Sequence, residues 1–224
     1  MSNFFGFVIT VLFYKIAERL KWTKLPPIVI AGAAIIFLLE FCHIDFEVYN
    51  KSASYLTLLL MPATIALGYP IYKNIELLKH NKRIIYTAFV VVTVLAIALT
   101  YIIAKICHAD LCVIESMLPK SVTAPIAVEI SKNIGGIPEL TACVVVLTGV
   151  FGGMFGHKIL EFIKVKNDIA IGLSIGAASH VVGTSCCVEK GNEKQVVMAS
   201  VALVIVGILT AVIAPLFLFA LKLG

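Results

Sequence analysis

Apolar residues run almost without a break along this chain, and only short polar stretches separate the runs. A helix needs about 20 mostly apolar residues to cross a bilayer. The pattern therefore predicts an all-α polytopic membrane protein with about six to eight membrane segments. The runs lie at about Asn3–Leu20, Pro27–His43, Ser54–Ile71, Ile84–Ile106, Leu111–Ser131, Leu140–Phe162, Ile169–Val188 and Val196–Leu221.

The composition of the chain agrees with this class. Of its 224 residues, 60% are hydrophobic and only 14% are charged, whereas soluble domains carry about 45–50% apolar and about 25% charged residues. We predict one integral membrane domain over residues 1–224, with four membrane segments in 1–106, interrupted segments in 111–190 and a last helix in 195–224. The first run has no basic region before it and no small-residue cleavage site, so we interpret it as a retained helix rather than a signal peptide.

Basic residues lie at the ends of the apolar runs and not along one stripe, so the formal net charge of +5 does not indicate nucleic-acid binding. The positive-inside rule places loops rich in Lys and Arg in the cytoplasm. It therefore predicts an external amino terminus and three internal basic loops. These loops contain Lys15, Arg19, Lys21 and Lys24; Lys73, Lys79, Lys82 and Arg83; and Lys158, Lys164 and Lys166.

If every apolar run crossed the membrane, the third basic loop would lie on the wrong side. The number of membrane crossings agrees with the positive-inside rule if Met117–Gly136 enters and leaves by one face and Ile169–Val188 also returns to its own side. We therefore predict two re-entrant segments that enter from opposite faces and meet near the midplane, as in substrate-binding transporters. The alternative is two kinked helices that cross fully, with one basic loop that breaks the rule.

The first interrupted segment, MLPKSVTAPIAVEISKNIGG, places helix breakers and charges in an apolar region. We expect Pro119 in a first helical turn, where its missing amide proton is tolerated, with Ser116 as the cap. Pro125 would then interrupt the helical hydrogen bonds a few residues later. Both prolines are therefore predicted helix breaks.

Lys120 is the main positive charge in this segment. Together with Ser121, Thr123 and the free amides of a helix start, it would form a binding site for an anion. A lysine at membrane depth is costly and usually marks a function or a partner; Glu129 is the candidate partner and a candidate proton carrier. The alternative is that Lys120 snorkels to the interface and only anchors a kink.

The second interrupted segment, IGLSIGAASHVVGTS, has small residues every few positions, so a neighbouring helix can approach closely. We expect Gly183 to let the helix unwind beside Ser179, His180 and Thr184, whose side chains would bind a solute. His180 is also a candidate proton carrier, because imidazole titrates near neutral pH. A packing histidine bonded to a main-chain carbonyl stays open as the alternative.

Between these segments, glycine recurs at the small-xxx-small spacing of close-packed membrane helices. Gly149 pairs with Gly153, and Gly152 pairs with Gly156. This spacing predicts a helix-packing face rather than a ligand site.

The remaining patterns add little chemistry. Pro-x-Thr-x-Ala at residues 62–66 echoes Pro-x-Ser-x-Thr at residues 119–123, which suggests two inverted repeats. No nucleophile elbow, phosphate loop or zinc-protease motif is present. The run CHADLC at residues 107–112 has no second ligand pair, so its cysteines are expected to be loop thiols. We therefore expect no enzyme activity, no cofactor and no metal.

Four blocks, LPKSVTAPIAVEIS, IGGIPELTA, LTGVFGGMFG and AIGLSIGAASHVVGT, resemble the signature blocks of the LrgB/CidB family, and the resemblance covers nearly the whole chain. In many members a small–Arg–small run follows the Gly-Thr pair. This chain has Ser185-Cys186-Cys187 instead, so Lys120 would have to supply the main cation of an anion site. The family's blocks fall on Pro119, Lys120, Ser121, Thr123, Pro125, Ser179, His180, Gly183 and Thr184.

The resemblance implies two functions. The older family label is holin-like or antiholin-like: a bacterial cytoplasmic-membrane protein that modulates murein hydrolase activity and autolysis with a small LrgA/CidA-type membrane partner. The newer one is transport, since bacterial relatives move pyruvate and a similar plant plastid protein exchanges glycolate and glycerate.

From the residues and the resemblance together, we favour a transporter of small monocarboxylates such as pyruvate, glycolate or similar 2-oxo and 2-hydroxy acids, with a proton as the candidate coupling ion. Polar groups concentrated in two breaks favour a discrete site, whereas a pore prefers a continuous polar stripe. The alternative is a holin-like or antiholin-like component, and a scaffold without a solute is the third possibility. We expect a homodimer in the bilayer.

Overall fold

The computed structural model describes residues 4–20, 27–59, 62, 65–66, 68–73, 75, 82–189 and 192–223. Regular structure in these residues is helical and includes no strand, which confirms the predicted all-α class. The helices are α1 (Phe5–Arg19), α2 (Pro27–Phe41), α3 (Phe46–Leu58), α4 (Gly68–Lys73), α5 (Lys82–Ile106), α6 (Leu111–Met117), α7 (Ala124–Ile134), α8 (Pro138–Phe162), α9 (Asp168–Glu189) and α10 (Glu193–Leu223).

Several helices match the length and polarity of membrane spans. Within the described residues, four segments are long and apolar enough to cross a membrane when judged by length and composition alone: Ile85–Ile106, Pro138–Phe162, Asp168–Val188 and Glu193–Leu221. The helix α2 is also apolar but is shorter than these four. The chain is therefore a multi-pass membrane protein, as its apolar pattern predicts.

The chain divides into two compact units, Met1–Gly68 and Tyr69–Gly224. In the first unit, α1 packs against both α2 and α3. The amide of Gly6 in α1 donates to Ser52 Oγ in α3 at 2.8 Å. Polar contacts therefore help to join the helices of this unit.

The helix α3 begins before the apolar run that the sequence shows in this region. The run starts at about Ser54, whereas α3 already covers residues 46–53. Just before the helix, Asp45 Oδ1 accepts a hydrogen bond from the amide of Glu47 at 3.4 Å. A side-chain acceptor satisfies an amide that has no partner at a helix start, and hydropathy alone does not register such a bond.

Several residues used in the sequence analysis lie outside the described ranges. The sides of the membrane assigned to the basic loops, and the repeat suggested by residues 62–66, therefore stay predictions. The residues concerned are Lys21, Lys24, Thr64, Lys79 and Lys190.

In the second unit, residues 111–136 fold back into a helical hairpin, which we call the first hairpin. Its outgoing arm is α6, its returning arm is α7, and turns within residues 118–123 connect the two. The chain after α7 comes back to α6, because the amide of Ile137 donates to Ser116 Oγ at 2.7 Å. The tip of this hairpin is therefore at residues 118–123, and its base lies beside the start of α8.

The helix α9 is also folded back, although its residues form one continuous apolar run. At His180 the backbone leaves helical geometry, with φ +43° and ψ −132°. The carbonyl oxygen of Ile175 lies 2.9 Å from a Cβ built on Gly183. A straight helix excludes this contact, because eight residues span about 12 Å. We call residues 168–189 the second hairpin, with its tip at His180.

Side chains close the base of the second hairpin. Gln195 Nε2, at the start of α10, donates to Asp168 Oδ1, at the start of α9, at 2.8 Å. The other end of the same amide, Oε1, lies 3.1 Å from Nε2 of the buried His157. A straight helix of 22 residues would hold its two ends about 33 Å apart. The bond to Asp168 therefore requires that α9 returns to its starting level.

The two hairpins enter this unit from opposite ends of α8. The base of the first adjoins the start of α8 through Ser116 and Ile137, and the second begins soon after α8 ends. The tip of the second hairpin reaches the middle of α8, where a Cβ on Gly149 would lie 2.6 Å from the His180 ring. The structure thus contains two opposed, folded-back segments; their entry from opposite faces of the membrane stays a prediction.

Candidate functional site

The two hairpin tips, α5 and α8 line an open cavity of about 710 Å³. The first hairpin contributes Lys120 and Ser121 to its wall, the second contributes Ser174 and Ser179, and α8 contributes Thr148. Both interrupted segments of the sequence therefore border one space. The rest of the wall is mainly apolar and includes Val92, Ala96, Leu147, Phe151, Ile159 and Leu160.

Lys120 is half-buried in the tip of the first hairpin and lines the cavity. In the part of the chain that the structure describes, ion pairs join Lys15 to Glu18 and Lys132 to Glu129, and neither pair includes Lys120. An ammonium group in apolar surroundings is costly unless a negative charge compensates it. The cavity is therefore suited to an anion.

Three serine hydroxyls of the wall have no hydrogen-bond partner among the described residues: those of Ser121, Ser174 and Ser179. Ser121 and Ser179 are only 8% and 2% exposed. Thr148, in contrast, already donates to the carbonyl oxygen of Val144 at 2.8 Å. Because a hydroxyl that reaches a cavity without a protein partner can both donate and accept a hydrogen bond, the three serines are available to bond an oxygen atom of a solute.

His180 is not among the residues that line the cavity. Its Nε2 lies 3.0 Å from the carbonyl oxygen of Val145 in α8. A carbonyl oxygen only accepts, so Nε2 carries a proton and donates it in this bond. His180 thus ties the hairpin tip to α8, which is the packing role left open by the sequence. Its roles in solute binding and proton coupling stay predictions.

The break in α9 lies at His180, so the prediction of a break at Gly183 is wrong. Gly183 lies within the second arm and packs closely against Ser179, whose Cβ is 2.7 Å from a Cβ built on the glycine. Glycine is needed there for the close return of the arm, whereas His180 carries the positive φ. Thr184 Oγ1 donates to the carbonyl oxygen of His180 at 2.9 Å, so it supports the tip and does not line the cavity.

The prolines of the first hairpin lie at its breaks, but their positions differ from the expectation. Pro119 is fully buried in the turn after α6, instead of opening a helix. Pro125 lies in the first turn of α7, where a missing amide proton costs little, instead of interrupting a helix. The cap of α7 is Thr123, with extended backbone and no side-chain cap bond. Ser116 caps no helix and donates to the carbonyl oxygen of Cys112 at 2.6 Å.

Glu129 is not the partner of Lys120. Its carboxylate pairs at 2.8 Å with Lys132, three residues later on α7, and both side chains are more than half exposed. Glu129 borders a separate cavity of about 370 Å³. The expected pairing is wrong because a neighbour of opposite charge on the same helix is nearer. Proton transfer by Glu129 stays a prediction.

The glycines at small-xxx-small spacing on α8 are Gly149, Gly152, Gly153 and Gly156, and they face the second hairpin. A Cβ on Gly152 would collide with the hydroxyl of Ser179, whereas one on Gly156 would make an ordinary contact at 3.7 Å. Gly152 and Gly156 also line the cavity. Close packing and the shape of the cavity therefore depend on the same helix face.

Among the polar residues of this unit that sequence reasoning missed are Ser174 and Glu115. Ser174 lies one helical turn before the cavity residue Ala178, so the two share a helix face. This spacing was the sequence feature that could have indicated that Ser174 lines the cavity. Glu115 is only 5% exposed, and its Oε2 lies 2.8 Å from a Cβ built on Gly135. An acidic residue within an apolar run was the signal for Glu115.

The cysteines are dispersed over the structure. Cys107 and Cys112 are exposed, Cys186 is half-buried and Cys187 is buried. Among the residues that the structure describes, no three His, Cys, Asp or Glu side chains are grouped so as to hold a metal ion.

Comparisons of the chain with protein families and with individual proteins lead to the same family. The model of the LrgB-like family matches residues 6–220. The chain is 36% identical to the antiholin-like protein LrgB of Bacillus mycoides (strain KBAB4), over 97% of this chain and 96% of that protein. It is 35% identical, with the same coverage, to antiholin-like proteins LrgB of Bacillus cereus (strain B4264) and Bacillus anthracis (strain CDC 684 / NRRL 3495). No solved structure matches the chain.

Proposed function

The chain belongs to the LrgB-like family, and on that premise we propose that it acts as an antiholin-like protein of the bacterial cytoplasmic membrane. The observation that carries this proposal is the identity of 36% and 35%, over nearly the full length, to proteins that bear this name. In this role the chain modulates murein hydrolase activity and autolysis together with a small LrgA/CidA-type membrane protein. It is a homodimer with its amino terminus outside the cell.

Measurements of lysis test this role. A strain without its own LrgB-type protein receives the wild-type chain, alone or with an LrgA/CidA-type partner, and its detergent-induced autolysis and murein hydrolase zymograms are recorded. We expect slower autolysis and weaker hydrolase bands when the chain is present. Lysis at the rate of the empty strain, with normal amounts of the chain in the membrane, contradicts the proposal.

A matched pair of variants shows whether the folded hairpins are needed for this effect. Gly152→Ala places a methyl group against Ser179, whereas Gly156→Ala meets only an ordinary contact at 3.7 Å. The first variant should lose the effect on lysis and the second should keep it. Equal lysis in both variants would mean that the effect does not depend on the packing of the second hairpin.

A second function, transport of small monocarboxylates, is favoured by the cavity at the hairpin tips. Carriers bind their solutes where broken helices meet inside the membrane, and alternating access moves the surrounding helices about that site. Here Lys120 has no carboxylate partner among the described residues, and the hydroxyls of Ser121 and Ser179 are unbonded. Lys120 would hold the carboxylate of pyruvate, glycolate or a similar acid, and the serines would bond its 2-oxo or 2-hydroxy oxygen.

Uptake into proteoliposomes tests the transport function. Labelled pyruvate and glycolate are offered to the wild type and to Lys120→Met, His180→Ala and the control Lys105→Met, which removes an exposed charge at the end of α5. We expect saturable uptake that is lost in Lys120→Met, impaired in His180→Ala and kept in Lys105→Met. Unselective leakage of a dye that ignores Lys120 would instead indicate a pore and would count against transport.

A further inference from the structure

The chemistry of the cavity wall is divided between a small polar part and a large apolar part. The polar side chains with free hydrogen-bonding capacity are Lys120, Ser121, Ser174 and Ser179, all on the two hairpins. The helices α5 and α8 contribute mainly aliphatic and aromatic side chains. A three-carbon acid would use the polar groups and leave most of this apolar surface without contact.

The size of the cavity also favours a solute larger than a three-carbon acid. Its volume of about 710 Å³ falls in the range of about 300–1,000 Å³ that is typical of pockets for drug-sized ligands. Along α8 the wall extends from Val144 to Leu160, which are 16 positions apart, or about 24 Å of helix. The cavity is therefore much longer than pyruvate or glycolate, and part of its apolar wall, including Leu147, Phe151 and Ile159, is exposed on the surface of α8.

We infer that the cavity selects 2-oxo or 2-hydroxy monocarboxylates that carry an apolar chain, in preference to three-carbon acids. This inference rests on the transport function proposed above and names the substrate class of the same site. Lys120 binds the carboxylate, and Ser121 and Ser179 bond the oxygen at carbon 2. The apolar chain of the acid then lies against the aliphatic and aromatic surface of α5 and α8.

Burial of the apolar chain sets the expected preference. Each methylene group that leaves water for an apolar environment improves binding about three- to fourfold. 2-Oxohexanoate has three more carbon atoms than pyruvate, so full burial of its chain would tighten binding by about 50-fold. The cavity is partly open, and we therefore expect a gain of at least about tenfold.

Binding to the purified full-length chain in detergent measures this preference without requiring transport. A ligand that binds only the folded state raises the midpoint of thermal unfolding, and the concentration dependence gives its dissociation constant. The ligands are pyruvate, 2-oxobutanoate, 2-oxohexanoate and hexanoate. Affinity should rise along the three 2-oxo acids, and hexanoate should bind more weakly than 2-oxohexanoate because it lacks the oxygen at carbon 2.

Two pairs of variants locate the binding. Ala178 lines the cavity with an exposed side chain, so Ala178→Leu shortens the apolar space and should reduce the gain per added carbon. Its control, Ala220→Leu, changes an exposed alanine of α10 that borders neither cavity, and the gain should be unchanged. Lys120→Met should weaken all 2-oxo acids at least tenfold, whereas Lys105→Met should not.

The outcomes separate this inference from the transport function. Saturable pyruvate uptake with equal or weaker binding of 2-oxohexanoate overturns the inference and leaves transport standing. Absence of saturable binding and uptake for every acid overturns both. A gain with chain length that persists in Lys120→Met and Ala178→Leu shows adsorption to a lipid-facing surface, and it also overturns the inference. Hexanoate that binds as tightly as 2-oxohexanoate overturns the part assigned to the serines.

Discussion

Asp168 Oδ1 accepts a hydrogen bond of 2.8 Å from Asn192 Nδ2, which joins the first residue of α9 to the residue just before α10. The same oxygen also accepts from Gln195 Nε2 at 2.8 Å. Two amide side chains on one carboxylate oxygen thus fix the base of the second hairpin, while its tip at His180 lies against α8. The candidate site depends on this geometry, because Ser174 and Ser179 are carried by the arm that begins at Asp168.

Paired cysteines can test the return of α9 directly. In a chain whose native cysteines are replaced, Asp168→Cys and Asn192→Cys should form a disulfide under mild oxidation, because the native side chains are in contact. The control pair, Asp168→Cys with Val181→Cys, should remain reduced, since a helical arm of this length separates its two positions by about 17 Å. Mass spectrometry of the cross-linked peptides gives the result. If neither pair forms, α9 is not folded back.

The face of α8 towards Ser179 should tolerate a methyl group at one glycine but not at another. Gly152→Ala overpacks the contact with the Ser179 hydroxyl and should cost about 1–3 kcal/mol of stability. Gly156→Ala meets its nearest atom at 3.7 Å and should be neutral, or stabilising by up to about 1 kcal/mol, because alanine favours helix. Thermal unfolding in detergent measures both.

A rescue variant shows whether the clash is the cause of this loss. Ser179→Gly in the Gly152→Ala background removes the side chain that the new methyl group meets, so it should restore much of the lost stability. Equal melting temperatures for Gly152→Ala and Gly156→Ala would show that Ser179 does not lie against Gly152.

The backbone at His180 predicts an unusual order of stability among its variants. A residue other than glycine with φ +43° and ψ −132° is strained by about 1–3 kcal/mol, and both His180→Ala and His180→Gly lose the bond to Val145. His180→Gly should therefore be more stable than His180→Ala, by roughly 1–2 kcal/mol after the higher entropy of unfolded glycine is counted. Thermal unfolding decides the order. An alanine variant as stable as the glycine variant would place the break elsewhere.

The exposed cysteines at the connection between α5 and α6 can report the orientation of the chain: Cys107 lies in it, and Cys112 lies in the first turn of α6. The positive-inside rule places this loop outside the cell, so a membrane-impermeant maleimide should label Cys107 and Cys112 in intact cells. In a variant whose native cysteines are all replaced by serine, Lys164→Cys at the other end of α8 should react only after the membrane is permeabilised. The reverse labelling pattern would invert the predicted topology, with an internal amino terminus.

Much of the candidate site could be predicted from the sequence. The interrupted segments stood out because prolines, a lysine and hydroxyls are costly in apolar runs, and Lys120, Ser121 and Ser179 do line one cavity. The assignments that were wrong concern residues whose partner or backbone conformation is set by near neighbours. Glu129 pairs with Lys132 because the two lie on the same helix, and no sequence signal marked His180, rather than Gly183, as the position of the break.

The sequence by itself determined that this is an all-α, multi-pass membrane protein with two interrupted segments, because the energy of burying apolar and polar groups depends mainly on residue type and spacing. Only the tertiary structure decided which polar groups meet. The distance between Lys120 and Ser179 along the chain carries no information about their separation in space; opposed hairpins bring both to one cavity. The same packing directs His180 to the Val145 carbonyl and leaves the serine hydroxyls unbonded, because hydrogen bonds between distant segments form only after the helices have packed.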